Sequence, residues 1–272
     1  MSDLDLASGE SFIPVGSRNR RLPVSAAVGW LNAGWHDLAK DSASSIAYGL
    51  AVFAVSLAIV AGLFFLGLDY ILFPAIAAFM VVGPLVAVGL YEKSRANERG
   101  RSVTLARMML VKPASGAQIL FIGVILLGLA LLWMRAAVII YALFFGLRPF
   151  PGINNLAPML FTTGIGWAML AAGTAVGGLF AAFSFAISAF SIPMLLDERT
   201  DAFTAMGTSI SLVWNNRPVM IAWGAIVLLL TALGLATGMI GLIVVFPLLG
   251  HATWHAYKAI AVPQEIQRDA RQ

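Results

Sequence analysis

The sequence contains no cysteine. Disulfides, zinc thiolate sites, iron–sulfur clusters and a thiol nucleophile are therefore all excluded. Charge is also scarce, because only 11% of the 272 residues are charged, whereas soluble domains carry about 25%. The first 22 residues hold no apolar run and do not resemble a signal peptide. No phosphate-binding loop, HExxH sequence or Ser-His-Asp order is found, so the sequence predicts a protein that is not an enzyme.

Hydrophobic residues are abundant instead. They make up 60% of the chain, and the mean hydropathy is +0.89. A chain with so few polar residues cannot cover its apolar residues with a soluble surface. Apolar runs of roughly 20 residues, the length needed to cross a bilayer, recur along it. The sequence therefore predicts an all-α polytopic transmembrane bundle of about six helices. The predicted spans are 45–68, 70–91, 117–146, 166–196, 217–236 and 239–258.

The remaining segments are predicted to lie on the cytoplasmic side or to connect spans. Residues 1–22 and 261–272 form cytoplasmic tails on either side of a membrane domain, 23–260. The 30-residue run 117–146 is too long for an upright helix, so it tilts, projects beyond the bilayer or breaks near Trp133. Residues 147–158, rich in proline and asparagine, are predicted to be a loop.

Two amphipathic helices are predicted outside the spans. The first covers 24–41 and either lies in the lipid headgroup region or packs on the cytoplasmic face of the protein. The second follows the charged patch that ends at Asp201. Their apolar stripes are Val24, Val28, Leu31, Trp35 and Leu38 in the first, and Phe203, Met206, Ile210 and Val213 in the second.

Basic residues indicate on which side the termini lie. Six spans place both termini on the same side, and fifteen of the 17 basic residues lie in the tails or links on that side. Arg148 is alone in the opposite links, and Arg135 lies in or at the edge of a span. Because cytoplasmic segments are rich in Lys and Arg, both termini are predicted to be cytoplasmic.

A weak internal repeat is visible. Glu92 and Asp197 each end a span, Pro113 and Pro218 each open the next, and both pairs are 105 residues apart. A duplicated unit of span, cytoplasmic helix and span would give this spacing. So would any chain that links two spans on one side, and the sequence leaves both explanations open.

The last predicted span ends in GHATWHAYK, at 250–258, which is the one group of residues that suggests chemistry. His251 and His255 are four apart and share a helical face. Two imidazoles on one face can ligate a metal or haem, and His36 would add a third ligand only if helix 24–41 docked there. The alternative is that both histidines hydrogen-bond to carbonyls or lipid phosphates, since the spans offer no acid nearby. The sequence accordingly predicts no metal and no cofactor.

Three further features are candidates for binding or anchoring. Trp254 and Tyr257 are predicted at the membrane boundary, which amphipathic rings prefer. Arg135 is either a site for an anionic ligand or an anchor at the outer boundary, where arginine snorkels. The small residues Gly173, Gly177, Ala181, Ser184 and Ser188 share one helix face, which favours helix packing in the bundle or in a homodimer.

Three stretches resemble a family of bacterial integral membrane proteins that is described only as a domain of unknown function. They are VVGPLVAVGLYEKSRANERG at 81–100, SFAISAFSIPMLLDERTDAFTAM at 184–206 and GLIVVFPLLGHATWHAYK at 241–258. The resemblance extends over about Trp30–Ile260 and implies a multi-pass bacterial inner-membrane protein. Members are sometimes labelled cytochrome c oxidase subunit I, but that subunit ligates its haems and copper through more histidines than the three present here.

Three hypotheses for function follow. The first is a non-catalytic accessory or scaffold subunit of a membrane complex, which has the lipid bilayer and a membrane protein or a second copy as partners and binds no nucleic acid. The second is a small-solute transporter or permease, suggested by the repeat, by Arg135 and by the prolines within spans. The third is a metal- or haem-binding membrane protein that uses His251 and His255.

Overall fold

The computed structural model describes residues 19–146 and 150–261. The predicted tails therefore lie almost wholly outside the described residues. Within the described residues the chain is helical and has no strand. The helices are α1 Ala26–Lys40, α2 Ser42–Phe65, α3 Leu72–Val86, α4 Val88–Glu98, α5 Leu105–Met109, α6 Gly116–Phe145, α7 Ile153–Phe161, α8 Gly164–Ser188, α9 Ser191–Asp197, α10 Ala202–Asn215, α11 Arg217–Ala236 and α12 Leu242–Ala261.

Five segments of the described chain are long and apolar enough to cross a membrane. They correspond to the first five predicted spans and confirm the all-α polytopic fold. The sixth predicted span, 239–258, overlaps α12, which begins at Leu242 and ends at Ala261. The second half of α12 contains His251, His255 and Lys258, and the helix is too polar to join this group. Its crossing of the membrane stays a prediction. The five segments are Ser42–Phe65, Asp69–Glu98, Gly116–Phe145, Gly164–Asp197 and Arg217–Ala236.

Two of these segments are divided by short breaks, and each break has its freed backbone groups satisfied. The first lies between α3 and α4, after Pro84, and the Tyr48 hydroxyl donates to the Val86 carbonyl there at 2.6 Å. The second lies between α8 and α9. There the Ser209 hydroxyl accepts from the Phe190 N–H at 3.1 Å and donates to the Ala186 carbonyl at 2.7 Å. Polar side chains from neighbouring helices therefore stabilise both breaks.

Two predictions about the middle of the chain are settled by the structure. The run 117–146 does not break near Trp133, because α6 is one continuous helix of 30 residues. The predicted loop 147–158 is wrong in its second half, since α7 begins at Ile153 and ends at Phe161. Gly152 precedes α7 with φ +82°, a conformation that glycine adopts without strain.

The described helices form three consecutive units of similar layout, rather than the two suggested by the sequence, and the second unit has α7 in addition between its two long helices. Each unit has a short helix, then an outgoing apolar helix, then a return helix. The short helices are α1, α5 and α10; the outgoing helices are α2, α6 and α11; the return helices are α3 with α4, α8 with α9, and α12. Each copy of the repeat noted in the sequence contains the end of one unit and the start of the next. The boundaries of the three units were therefore not evident from that repeat.

The outgoing helices share a sequence pattern that supports this division. Their first turns read SIAYGLAV at 45–52, ILFIGVIL at 119–126 and MIAWGAIV at 220–227. In all three, the large residue before the glycine is buried, namely Tyr48, Ile122 and Trp223. The first and last return helices are also alike, with VVGPL at 81–85 and VVFPL at 244–248.

The three units close into a ring because each one packs on the return helix of the unit before it. The short helix α5 packs on α4, α10 packs on α8 and α9, and α1 packs on α12, which completes the circle. The outgoing helices α2 and α6 follow the same rule and pack on α12 and α3. The return helices meet inside the ring, where α4 contacts both α9 and α12.

Glycines permit the close approach of outgoing and return helices. A Cβ on Gly49 of α2 would overlap the carbonyl oxygen of Ile243 in α12, and a Cβ on Gly123 of α6 would lie 2.8 Å from Leu85 in α3. At the third equivalent glycine, Gly224 of α11, an added Cβ would lie 3.9 Å from the ring of Phe185 in α8, which is an ordinary van der Waals distance. Two seams of the ring are therefore tight, and the third is loose.

The predicted apolar stripes of the amphipathic helices are wrong in part. In α1 the helix buries Ala27, Trp30, Gly34, Asp37 and Leu38, while Val24, Val28 and Trp35 are exposed. In α10 it buries Ala202, Ala205, Met206, Ser209 and Leu212, while Phe203 and Ile210 are exposed. Small residues face the neighbouring helix because they permit close approach. Other large apolar residues, among them Trp35 and Phe203, face outward.

Both ends of the described chain lie at one end of the bundle. The Arg20 guanidinium donates to the Ile260 carbonyl at 2.9 Å, and the Arg20 N–H donates to the Asn216 side chain at 2.9 Å. The carboxyl ends of α4 and α9 lie at this same end, where Arg95 donates to the Leu196 carbonyl at 2.6 Å. We call it the polar end of the bundle, and it contains the candidate site.

Candidate functional site

Polar side chains from four parts of the chain converge where the return helices meet α1. Most of these groups are buried or half-buried and are held by one another, whereas Glu98, Arg99 and Glu198 are exposed at the edge of the cluster. We call this cluster the polar junction. Its members are Asp37, Asp41, Ser44, Ser45, Glu92, Lys93, Ser94, Arg95, Asn97, Glu98, Arg99, Asp197, Glu198, His251, Trp254, His255, Tyr257 and Lys258.

His251 is fully buried at the centre of the polar junction. Its Nε2 lies 2.9 Å from the Ser45 hydroxyl, and its Nδ1 lies 2.8 Å from the Ser94 hydroxyl. Both ring nitrogens are therefore engaged by serines of α2 and α4. A metal or haem iron would have to displace one of these hydrogen bonds to reach the ring.

Lys93 is the second buried centre, with 1% of its side chain exposed. Its ammonium donates to Ser45 at 2.7 Å, to Ser44 at 2.9 Å and to the Asp41 carbonyl, and it lies 3.5 Å from the Asp41 carboxylate. These acceptors replace the hydration that burial removes. Lys93 thereby fixes the junction between α1 and α2.

The two ends of this network fix the direction of three hydrogen bonds. A carboxylate only accepts, so Ser94 donates to Asp37 and accepts from His251 Nδ1. An ammonium only donates, so Ser45 accepts from Lys93. A hydrogen-bond chain therefore joins Lys93 to Asp37 through Ser45, His251 and Ser94.

Asp37 ends this chain and connects it to the second histidine. Its carboxylate lies 2.8 Å from His255 Nε2 and accepts from the Asn97 amide at 3.0 Å. Burial acts to raise the pKa of Asp37, but hydrogen bonds from His255, Ser94 and Asn97 together lower that pKa below its usual value. The acid missing from the spans is therefore supplied by α1.

The lowered pKa of Asp37 predicts an acid dependence of stability. Because the pKa is below the unfolded value of 3.8, the stability that the ionised carboxylate contributes is present above that pH and is lost as the pH falls through the folded pKa. We expect Asp37→Asn to lower the thermal unfolding midpoint in detergent clearly at about pH 6, and much less at about pH 3. An equal loss at both pH values would contradict this account.

Asp197 at the end of α9 is the centre of an ion-pair group. Its carboxylate lies 3.2 Å from the Lys258 ammonium, 3.3 Å from the Arg99 guanidinium and 3.9 Å from that of Arg95. Arg95 also pairs with Glu92 on the same helix. One carboxylate therefore connects the return helices of all three units.

Trp254 and Tyr257 face the protein interior, so they are not available to contact lipid headgroups. Both are fully buried. The Trp254 indole donates to Glu98 at 2.9 Å, and the Tyr257 hydroxyl donates to Glu198 at 2.9 Å. Rings with a polar tip suit this position, since their bodies fill the core and their tips meet carboxylates of α4 and of the chain after α9.

The other predicted site residues lie outside the polar junction. Helix α1 does dock on α12, but it presents Asp37 to His255, and His36 is exposed. Arg135 on α6 is exposed, while the neighbouring Trp133 indole donates to the Pro74 carbonyl at 3.2 Å. The two histidines are thus joined by serines and an acid, and Arg135 is remote from them.

The small-residue face of α8 borders a cavity among the apolar helices. This cavity has a volume of about 1590 Å³ and lies between α3, α6, α8, α11 and α12. Gly173, Gly177 and Ala181 are in its wall. A Cβ on Gly177 would lie 2.8 Å from Trp133, whereas a Cβ on Gly173 would have no atom within 4 Å. The face therefore packs against α6 at one point and borders open space at another.

Sequence reasoning missed Lys93, Ser45 and Ser94, because they were counted only as basic or small residues near span ends. One signal was available. VVGPLVAVGLYEKSR at 81–95 aligns with VVFPLLGHATWHAYK at 244–258, which sets Tyr91 and Glu92 opposite Trp254 and His255. Two return helices with polar ends of the same design indicate that these ends meet.

Hydrogen bonds within the polar junction engage its reactive side chains. Serine hydroxyls, imidazoles and carboxylates that could act as nucleophile or base are hydrogen-bonded within it. Within residues 19–146 and 150–261, no three side chains of the metal-ligating types His, Asp and Glu lie close enough to hold one ion. The arrangement locks three return helices and α1 together.

Comparison with known proteins agrees with the membrane architecture. Residues 72–197, from α3 to α9, match a family described as "Predicted integral membrane protein (DUF2189)". The matched segment contains the ends of two return helices and eight of the eighteen residues of the polar junction. Neither the curated proteins nor the solved structures contain a match to the chain. Together with the five apolar spans, the family match identifies a multi-pass integral membrane protein.

Proposed function

We propose that this multi-pass membrane protein is a non-catalytic accessory or scaffold subunit of a membrane complex. The observation that supports this most directly is the pairing within the polar junction. Asp197, Glu98 and Glu198 each bind side chains of other units, as does His251. Groups engaged in this way hold a rigid platform and are unsuited to bind and release a substrate.

We further propose that the polar end faces the cytoplasm of a bacterial inner membrane. Arg20, Lys93, Arg95, Arg99 and Lys258 all belong to this end. Cytoplasmic segments of inner-membrane proteins are rich in such residues. The exposed apolar residues of α1 and α10, among them Trp35 and Phe203, then lie at headgroup level, where they anchor the platform or contact a partner.

A second candidate is a permease, and the cavity between α8 and α11 favours it. Its wall is almost entirely apolar, with Phe79, Val81, Phe185 and Val227 among the lining residues. A polar solute would lose its hydration there without compensation. An amphiphilic cargo fits the cavity, and a small polar solute does not.

The metal or haem hypothesis receives the least support from the geometry. His251 has both ring nitrogens hydrogen-bonded to serines, and His255 Nε2 is bonded to Asp37. Ligation by His251 would break its hydrogen bond with the buried Ser45 or Ser94, and the loss of one such bond costs about 0.5–1.5 kcal/mol. The two histidines are better explained as parts of the platform.

Affinity purification from native membranes in mild detergent tests the accessory role. We expect one set of partner proteins to elute at near-unit stoichiometry with the tagged protein. Gly49→Val is the control, because its side chain would overlap the backbone of α12 and disrupt the platform. Partners that recognise the folded platform should not elute with this variant. Elution of the folded protein alone would refute a stable complex and put the permease candidate first.

A further inference from the structure

The loose seam between α8 and α11 borders the cavity. At the two tight seams, the glycine of the outgoing helix is buried against its neighbour, as Gly49 and Gly123 show. At the third, Gly224 and Val227 are only partly buried and both line the cavity. The ring is therefore open at one of three equivalent positions, and this position lies within the spans.

The interior of the opening suits acyl chains. The cavity of about 1590 Å³ exceeds the roughly 300–1,000 Å³ of pockets for small molecules, and its length follows α8 from Met169 to Ser188. Gly173 and Gly178 are in the wall, and no atom lies within 4 Å of a Cβ placed on either. A long apolar space beside two glycines accommodates flexible chains without steric conflict.

A positive charge lies at the polar end of this cavity. Arg217, the first residue of α11, is in the cavity wall, and its guanidinium lies 4.8 Å from the centre of the Trp214 ring. Within the described part of the chain no carboxylate forms a salt bridge with Arg217. An arginine beside a tryptophan at a membrane boundary is suited to a phosphate group, which it binds through two parallel hydrogen bonds.

A buried hydroxyl in the wall adds a polar feature to this apolar space. Ser184 of α8 is 2% exposed, lines the cavity and has no hydrogen-bond partner for its hydroxyl among the described residues. Buried hydroxyls are normally paired. An ester carbonyl of a glycerolipid would accept from such a group.

We propose that the cavity is a binding site for one phospholipid of the surrounding bilayer, which enters between α8 and α11. The phosphate binds Arg217 beside Trp214, and the acyl chains lie along the face formed by Gly173, Gly177 and Ala181. This site is distinct from the polar junction and does not depend on the accessory role. A transmembrane helix of a partner protein is the competing occupant.

Native mass spectrometry of the full-length protein with added phosphatidylglycerol tests the site. We expect one lipid to remain bound at activation energies that strip the others. Gly173→Phe, which fills the cavity, should weaken this retention about tenfold. Gly128→Phe is the matched control, because Gly128 is in a span, has open space around its Cβ and is not in the cavity wall; it should retain lipid like the original protein.

A second variant distinguishes the phosphate contact from general lipid adhesion. Arg217→Gln leaves the cavity open and should reduce the preference for phosphatidylglycerol over phosphatidylcholine. Equal retention by Gly173→Phe and Gly128→Phe, provided that both elute as folded protein in size-exclusion chromatography, would overturn the proposal. So would a partner protein that crosslinks to a photoreactive residue at Gly173 in native membranes, since a protein helix would then occupy the cavity.

Discussion

Gly49→Ala is expected to prevent the protein from folding stably. An alanine Cβ at this position would overlap the carbonyl oxygen of Ile243 and lie 2.9 Å from Cγ of Pro247. These are backbone and ring atoms, so neither can rotate away, and α2 must separate from α12. Overpacking of this kind costs about 1–3 kcal/mol or more, and here it opens the seam that closes the ring. The fraction of monodisperse protein after heating in detergent measures the loss.

The same helix offers a control for this prediction. Gly62 of α2 has no atom within 4 Å of an added Cβ. Alanine is favoured over glycine in a helix interior by up to about 1 kcal/mol, so Gly62→Ala should be as stable as the original protein or slightly more so. Equal behaviour of the two variants would show that α2 and α12 do not approach as closely as described.

Asp197→Ala should produce the second large effect. Its carboxylate is mostly buried and faces the cations of Lys258, Arg99 and Arg95. Removal of one partner from a buried group leaves uncompensated charge, which typically costs about 3–5 kcal/mol. Because Arg99 is half-exposed, we expect a value near the lower end of this range. Thermal or denaturant unfolding in detergent gives the difference directly.

Asp201→Ala is the matched control on the neighbouring segment. Asp201 is exposed and caps α10, where its carboxylate accepts from the Thr204 N–H at 2.9 Å. This hydrogen bond lowers the pKa of Asp201, and the loss of such a cap costs about 1 kcal/mol. A similar loss from both variants would mean that Asp197 acts only as a surface charge and does not connect the return helices.

The polar junction explains why a bundle with such an apolar sequence contains so many paired charges at one end. Helices in lipid gain little from apolar contact with each other, because lipid tails are equally apolar. Hydrogen bonds and ion pairs between return helices therefore specify which helices meet. The serine, lysine and histidine at the centre, Ser45, Lys93 and His251, belong to the first and third units and close the ring between them.

The sequence alone determined the class of the protein and most of its helices. Hydropathy and length predict the spans because a bilayer requires about 20 apolar residues per helix. For this reason α11 was predicted with its observed bounds, Arg217–Ala236, and α2 within three residues. The prolines within the spans were visible in the sequence, but the hydrogen bonds that stabilise the breaks in the second and fourth spans come from Tyr48 and Ser209 of other helices.

Only the tertiary structure decided what the polar residues do. His255 and Asp37 are 218 residues apart, and His251 and Ser45 are 206 apart, so no local pattern relates them. The outward faces of α1 and α10 were misjudged for a similar reason: hydrophobic periodicity identifies an apolar face but cannot say whether lipid or another helix covers it. The three-unit ring, its loose seam and the cavity behind it arise from packing between units, which the order of residues along one helix does not specify.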